Sequence, residues 1–552
     1  MMKTKVLLSF VILYAIGLRI DAQEKKFPQP VNTSAGHIIG GYISGDGNSI
    51  IYLSSYSQSG EPTMNYSQFE SGRWSTPEVL PKEISLSKIN YIWGHSLNFD
   101  GSVIYFTSRR TGIGGYDISY SMKTEEGWSV PKNLGIPINS KLNDASPSLS
   151  VSGDELFFIR CASMNDMEAN GCKIMVSRKI KDDWSEPVEL PEVINSGNVI
   201  APRILADNVT LIFSSDKPGG KGGYDLYMSR REGDNWSEPR PLDFVNTSED
   251  EIFTSIRFRG ILLLYSKKDR NTYQLYERLI PEEYRQYKFK KIDFNLLSDY
   301  TGGGERLFLY DANTGEQLLE RRIGLGQNTV ILNEGRKYNM ILQSAHGKRT
   351  FVSKEYDLAE LTRSEIMEQE FSLVMPKAQE DFILEGISFS ITEPFLSDTS
   401  EPALKNLTRL LKANSDFSVD IEVVMTNYQE DSVYSSNDLT EISIDSMITI
   451  FEREVPQYDV SGNVLIDSAS REANESVTED HGLNTVESVP EDSVVVTLKY
   501  TYHNDRTLME GEALREYLLQ EGIPMEQINI TGRREEIEPG EKPTRYLKIR
   551  FK

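Results

Sequence analysis

The sequence predicts a mainly β, multidomain chain: a β-propeller of about five blades, then a β-sandwich, then an α/β domain. Three observations carry the propeller. First, a short motif recurs, as RWSTP at Trp74, GWSVP at Trp128, DWSEP at Trp184 and NWSEP at Trp236. Its period is about fifty residues, the length of one four-stranded blade. Second, each copy follows an apolar run, at 50–53, 103–106, 156–159 and 211–213, and each run is preceded by a turn rich in Gly, Asp and Asn. A fifth run, 261–264, arrives in register but has no WSxP after it. Third, an alternating stretch (YDISYSMK, KIMVSRKI, YDLYMSRR, then YQLYERLI) follows each of the last four runs, as a half-buried strand requires.

Taken in order, residues 1–22 read as a secretory signal peptide. Lys3 and Lys5 form the charged start, 6–18 the apolar stretch, and Ala22 the cleavage point. The stretch is short for a spanning helix, no Cys stands near it to carry a lipid, and no later segment is long and apolar enough to cross a membrane. Residues 24–35 resemble the segments that end the repeats, LGIPINSKLND, LPEVINSGNV and LDFVNTSEDE. They are expected to supply the outer strand of the last blade, closing the ring so that no strand edge is left unpaired. A Trp recurring at one position in every blade is expected to pack between blades. The two GGYD copies, Gly114, Gly115 and Asp117 and again Gly222, Gly223 and Asp225, are expected to form structural turns, since Gly allows positive φ and Asp bonds nearby backbone. Cys161 ends one strand and Cys172 begins the next, which predicts a disulfide across a hairpin.

The propeller is expected over 23–287. Residues 288–376 hold about seven short strands broken by turns such as ANTGE, a β-sandwich pattern. Residues 377–552 mix strands with two helices, one with Leu404, Leu407, Leu410 and Leu411 on a single face. An acidic insertion at about 428–492 splits this last domain; it is expected to be flexible, with a helix near 440–453. The five His residues stand apart from any catalytic or metal-binding pattern, so no catalytic, cofactor or metal site is expected and the chain reads as no enzyme. The formal net charge of −24 argues against nucleic acid as a partner.

Blade two, from Phe99 to Asn139, and GGYDLYMSRREGDNWSEP in blade four resemble the WD40-like PD40 repeat of TolB-like propellers. DANTGEQL followed by LNEGRKYNMIL resembles the carboxypeptidase regulatory-like domain. REYLLQEGIPMEQINITGRREEIEPGEKPTRYLKIRF resembles the OmpA-like C-terminal domain. That family holds peptidoglycan through an Asp and an Arg; here Thr426 stands at the first candidate position for the Asp, Asp505 is the second, and Glu510 occupies the place of the Arg. The resemblance therefore implies the fold with a degenerate peptidoglycan site. The domain order is similar to that of Bacteroidetes-type cell-envelope proteins, including accessory proteins of type IX secretion. It implies an exported, non-catalytic scaffold or protein-interaction protein of the periplasm or outer membrane, with envelope proteins as partners. Two alternatives stand beside it. One is a carbohydrate-binding or glycoside-hydrolysing propeller, which a funnel lined by carboxylates would favour. The other is a peptidoglycan-anchored protein of the OmpA family.

Overall fold

A computed structural model describes residues 24–552 except 34–35, 56–62, 86–93, 110–111, 166–167, 181–182, 234, 258–259, 270–271, 390–394, 427–429, 432–440, 451–493, 504–506 and 536–543. It divides into two compact units, 1–376 with 401–414, and 377–400 with 415–552.

The first unit begins with five blades. In the first blade the strands are His37–Ile43, Ser49–Ser55, Thr63–Glu70 and Arg73–Trp74, in that order from the axis outward. The WSxP motif breaks the outer strand in two: Arg73–Trp74 and Glu78–Val79 both pair with Thr63–Glu70. Pro cannot donate to a ladder, so the Ser takes over the pairing across the break. Ser75, Ser129, Ser185 and Ser237 each accept a 3.0 Å bond from the backbone N–H of residues 68, 122, 178 and 230. Each Trp then packs on the preceding blade. Trp128 meets Tyr66 edge-on at 5.4 Å, Trp236 meets Phe157 at 6.3 Å, and Trp184 lies with Tyr105 and Ile118.

A buried Asn recurs ten or eleven residues after each of three Trp residues and bonds both backbone groups of one residue in the third strand. Asn139 bonds Ile118, Asn195 bonds Ile174 and Asn246 bonds Leu226, at 2.7–3.1 Å. The side-chain amide thereby replaces a fourth-strand peptide where the chain leaves the blade. Asn195 also donates to Leu190 O at 2.8 Å. Asn195→Ala is expected to lower stability by about 2 kcal/mol, because it leaves the buried N–H of Ile174 without its partner, while the Ile174 carbonyl keeps its bond from Leu190 N. A urea titration of the two chains measures this.

The fifth blade takes its outer strand from the N-terminus. Lys25–Lys26 pairs antiparallel with Thr272–Leu279. Asn32 repeats the side-chain pairing on Leu275, at 3.0 and 3.2 Å. Phe27 and Val31 are fully buried beside Trp74 and Leu264, so the last blade is welded to the first.

Residues 289–373 form two facing sheets of three and four strands around Ile292, Phe294, Leu307, Met340 and Leu342. This is a β-sandwich. It docks on one end of the propeller, at the turns between first and second strands. Arg321 pairs with Asp154, Asn333 Nδ2 donates to Asp207 O at 3.1 Å, and the Lys291 ammonium sits 4.5 Å from the Phe99 ring centre. The helix Glu401–Ala413 belongs to this unit, and Leu404, Leu407, Leu410 and Leu411 are all buried.

In the second unit a sheet runs Asp381–Leu384, Arg545–Phe551, Val419–Thr426, Ile528–Glu535, with the last two parallel. Helix Thr507–Gln520 packs on it through Leu514 and Leu518, and Gly511 lets it approach Ile530. Within the expected flexible insertion, Glu441–Ile450 is a strand paired with Val494–His503 and not a helix. The alternation of EISIDSMITI and the β-branched run VVVT explain the difference. Residues 451–493 lie outside the described residues.

Candidate functional site

The propeller axis is where five strands converge, and each inner strand is distorted there at the same level. Gly40, Gly94, Ser146, Ala201 and Phe253 hold φ of 64°, 85°, 51°, 50° and 61°. Register shifts mark bulges at this level in blades one, three and four. Three of the five are not Gly, and for a residue as bulky as Phe253 this backbone is strained. The bulges turn carbonyls away from the ladders, and buried side chains meet them. His95 Nε2 donates to Gly40 O at 2.6 Å. Arg203 Nη2 donates to His95 O at 2.9 Å, and Nη1 to Pro147 O and Pro202 O at 3.2 Å. The guanidinium also lies 4.7 Å from the Tyr42 ring centre. One Arg thus links blades one to four and plugs the axis.

Burial, followed by the neighbouring Arg203 charge, pushes the His95 imidazole down to about 3, so it is neutral at ordinary pH. Burial also brings Arg203 down to about 10. Among the described residues no carboxylate pairs with Arg203, and no cluster of three His, Cys, Asp or Glu side chains could hold a metal ion. Among the described residues, those at this level of the axis are Tyr42, Ser96, Ser148, Arg203 and Ser255.

The carboxylates lie further out, in the loops on the end opposite the sandwich, and they hold backbone. Asp117 accepts from Ile113 N at 2.7 Å and Gly114 N at 3.2 Å; Asp225 accepts from Lys221 N at 2.6 Å and Gly222 N at 3.1 Å. The glycines have a steric reason: a Cβ on Gly114 would strike Leu142 O, and one on Gly222 would strike Glu249 O. Gly115 and Gly223 approach Asn143 and Asp250 in the same way. Asp144 and Glu251 tie the next loops, accepting from Ser140 N and Thr247 N. They differ in one respect. Arg160 pairs with Asp144 at 2.7 Å, whereas burial and then the nearby Asp225 and Asp250 raise the Glu251 carboxyl, offset in part by its Thr247 bonds.

Cys161 and Cys172 face each other across the hairpin Glu155–Met164 and Ala169–Ile180 and form a disulfide. Closing a loop of about ten residues contributes about 2–3 kcal/mol in the chain-entropy description. Reduction is expected to lower the melting temperature by several degrees, and free-thiol labelling of denatured, unreduced chain to find none.

In the second unit, Thr426 is buried and its hydroxyl bonds Thr544 Oγ1 at 3.0 Å. Glu510 is fully buried and pairs with Arg545 at 3.1 Å. The Glu510 charge is thus turned inward on Arg545. Asp505 lies outside the described residues.

No protein-family profile matches the chain, and no curated protein matches it in sequence. Solved structures do align with it. A TolB protein of Agrobacterium tumefaciens is 12% identical over 54% of this chain and 90% of its own, with a TM-score of 0.28. An endo-arabinase of Bacteroides thetaiotaomicron is 18% identical over 46% and 96%, with a TM-score of 0.32. The catalytic domain of a GH62 α-L-arabinofuranosidase of Coprinopsis cinerea is 11% identical over 47% and 95%, with a TM-score of 0.30. Such values bear on fold alone. Glycoside hydrolases stand among these structures, so the expectation that the chain is no enzyme is withdrawn, and no activity of this chain is read from them.

Proposed function

We propose that the chain is a cell-envelope binding protein whose propeller receives a protein partner on the end opposite the sandwich. The observation that carries this reading is a set of exposed aliphatic side chains on the loops of blade two and its link to blade three. Ile136 is 76% exposed, Leu142 45% and Ile113 40%. The tight GGYD turn, with Gly115 N donating to Leu142 O at 3.1 Å, ties the loop that carries Ile113 to the one that carries Leu142. Exposed aliphatics on the loops at one end of a propeller offer an apolar surface to a partner. The leader-like start of the sequence and the disulfide support export to an oxidising compartment. The regulatory-like and OmpA-like resemblances support a modular envelope protein in which the propeller is the recognition element. In a pull-down from envelope extract, a discrete partner retained by the native chain and lost by Ile136→Glu with Leu142→Glu is expected. Equal retention by both chains would refute these loops as the site.

A second reading is a propeller that binds or hydrolyses a carbohydrate. Glu251 favours it: a carboxyl raised by burial beside two further carboxylates is the pairing that general acid catalysis of glycoside cleavage uses. Release of reducing ends from a panel of polysaccharides, abolished by Glu251→Gln, would establish this reading in place of the first.

A further inference from the structure

Arg203 presents an unbalanced charge. It is 3% exposed, and the partners of its two terminal nitrogens are neutral carbonyls. Its Nε has no hydrogen-bond partner among the described residues. A guanidinium taken out of water without a counter-charge costs several kcal/mol, of which carbonyl dipoles return only part. Strand register puts Tyr42, Ser96, Ser148, Arg203 and Ser255 at one level around the axis. Ser148 and Ser255 accept from Ile204 N and Ile43 N of the neighbouring blades. Ser96 Oγ is fully buried and has no partner. Next to this level, towards the sandwich, lies a cavity bounded by Tyr42, Arg203 and Ser255 with Leu97, Leu149 and Ile256. A cation with a free donor lines one wall, a phenol lies beneath it, and the remaining walls named here are mostly aliphatic.

We propose that this cavity is a binding site for a small monovalent inorganic anion of the chloride class, held on Arg203. The donor is the guanidinium of Arg203, and no carboxylate stands among the residues that line the cavity. One full positive charge suits one negative charge; a dianion such as sulfate would bury an excess charge that nothing on the wall neutralises. The anion would complete the plug, balancing the group that ties blades one to four, and so act as a structural ion of the propeller.

The test uses the full chain with bromide as probe. Crystals soaked in sodium bromide are expected to show an anomalous peak at hydrogen-bond distance from Arg203. Ordered water there with no anomalous peak, or peaks confined to surface Lys and Arg, would overturn the proposal. In solution, replacing gluconate by chloride at constant ionic strength is expected to raise Tm by about 3–5 °C for each tenfold of chloride above its Kd. Arg203→Met is expected to melt independently of chloride. Should that variant fail to fold, the bromide peak and the chloride dependence of the native chain decide. A native melt indifferent to chloride counts against the site.

Discussion

Deleting residues 24–33 is expected to abolish cooperative melting of the propeller. The deletion removes Phe27 and Val31 from a cluster in which both are buried, and the two Asn32 bonds to Leu275. It also exposes Trp74 and the edge of Thr272–Leu279. Truncating a buried Phe costs about 3–5 kcal/mol and burial of a Val side chain contributes about 2. With the lost backbone partners the sum is on the order of 5–8 kcal/mol. That rivals the whole stability of a typical domain, so the ring is expected to open rather than fray. Calorimetry of the deleted chain should show a broad, shallow transition in place of the native one. An unchanged melt would mean that the N-terminal strand is an ornament.

The second large effect is one of pH. His95 titrates near 6.5 in an unfolded chain and at about 3 in the fold. Between those values the unfolded state binds the extra proton, so stability is complete above about 6.5 and falls as the pH drops towards 3. The full loss is about 5 kcal/mol, and about 2 kcal/mol of it falls between pH 6.5 and 5. His95→Gln keeps an amide donor for Gly40 O but has nothing to titrate. Urea midpoints of the two chains are expected to differ most at pH 7 and to converge towards pH 5. Parallel pH profiles would show that the imidazole is not sealed in the axis. The carboxyls that burial raises, Asp144, Asp207 and Glu251, work in the opposite direction and are common to both chains.

The elements were legible in the sequence wherever a signal is contiguous. The WSxP period located the blades because Trp, Ser and Pro each have a role at a fixed place in one strand. The buried Asn that follows three of those Trp residues lay in the same strings and passed unread, because one Asn in a turn-rich segment looks like any other. The axial plug was not legible. His95, Arg203 and Tyr42 come from three blades, and nothing in a single window distinguishes an Arg that faces an axis from one that faces water. At 440–453 the expected helix is a strand: Met447 interrupts the alternation of EISIDSMITI enough for a helical face to fit as well, and pairing with 494–503 decides between the two. In the C-terminal unit, that Arg545 answers Glu510 appears only when a strand and a helix far apart in sequence meet.

Photo-crosslinking in the intact envelope tests the binding reading most directly. A photoreactive residue at Ile136, on the blade-two loops, is compared with one at Ser152, on the turn beside the sandwich. A discrete protein adduct from position 136, lost with Leu142→Glu and absent from position 152, is the expected result. No adduct at 136, or the same adducts from both positions, would contradict it.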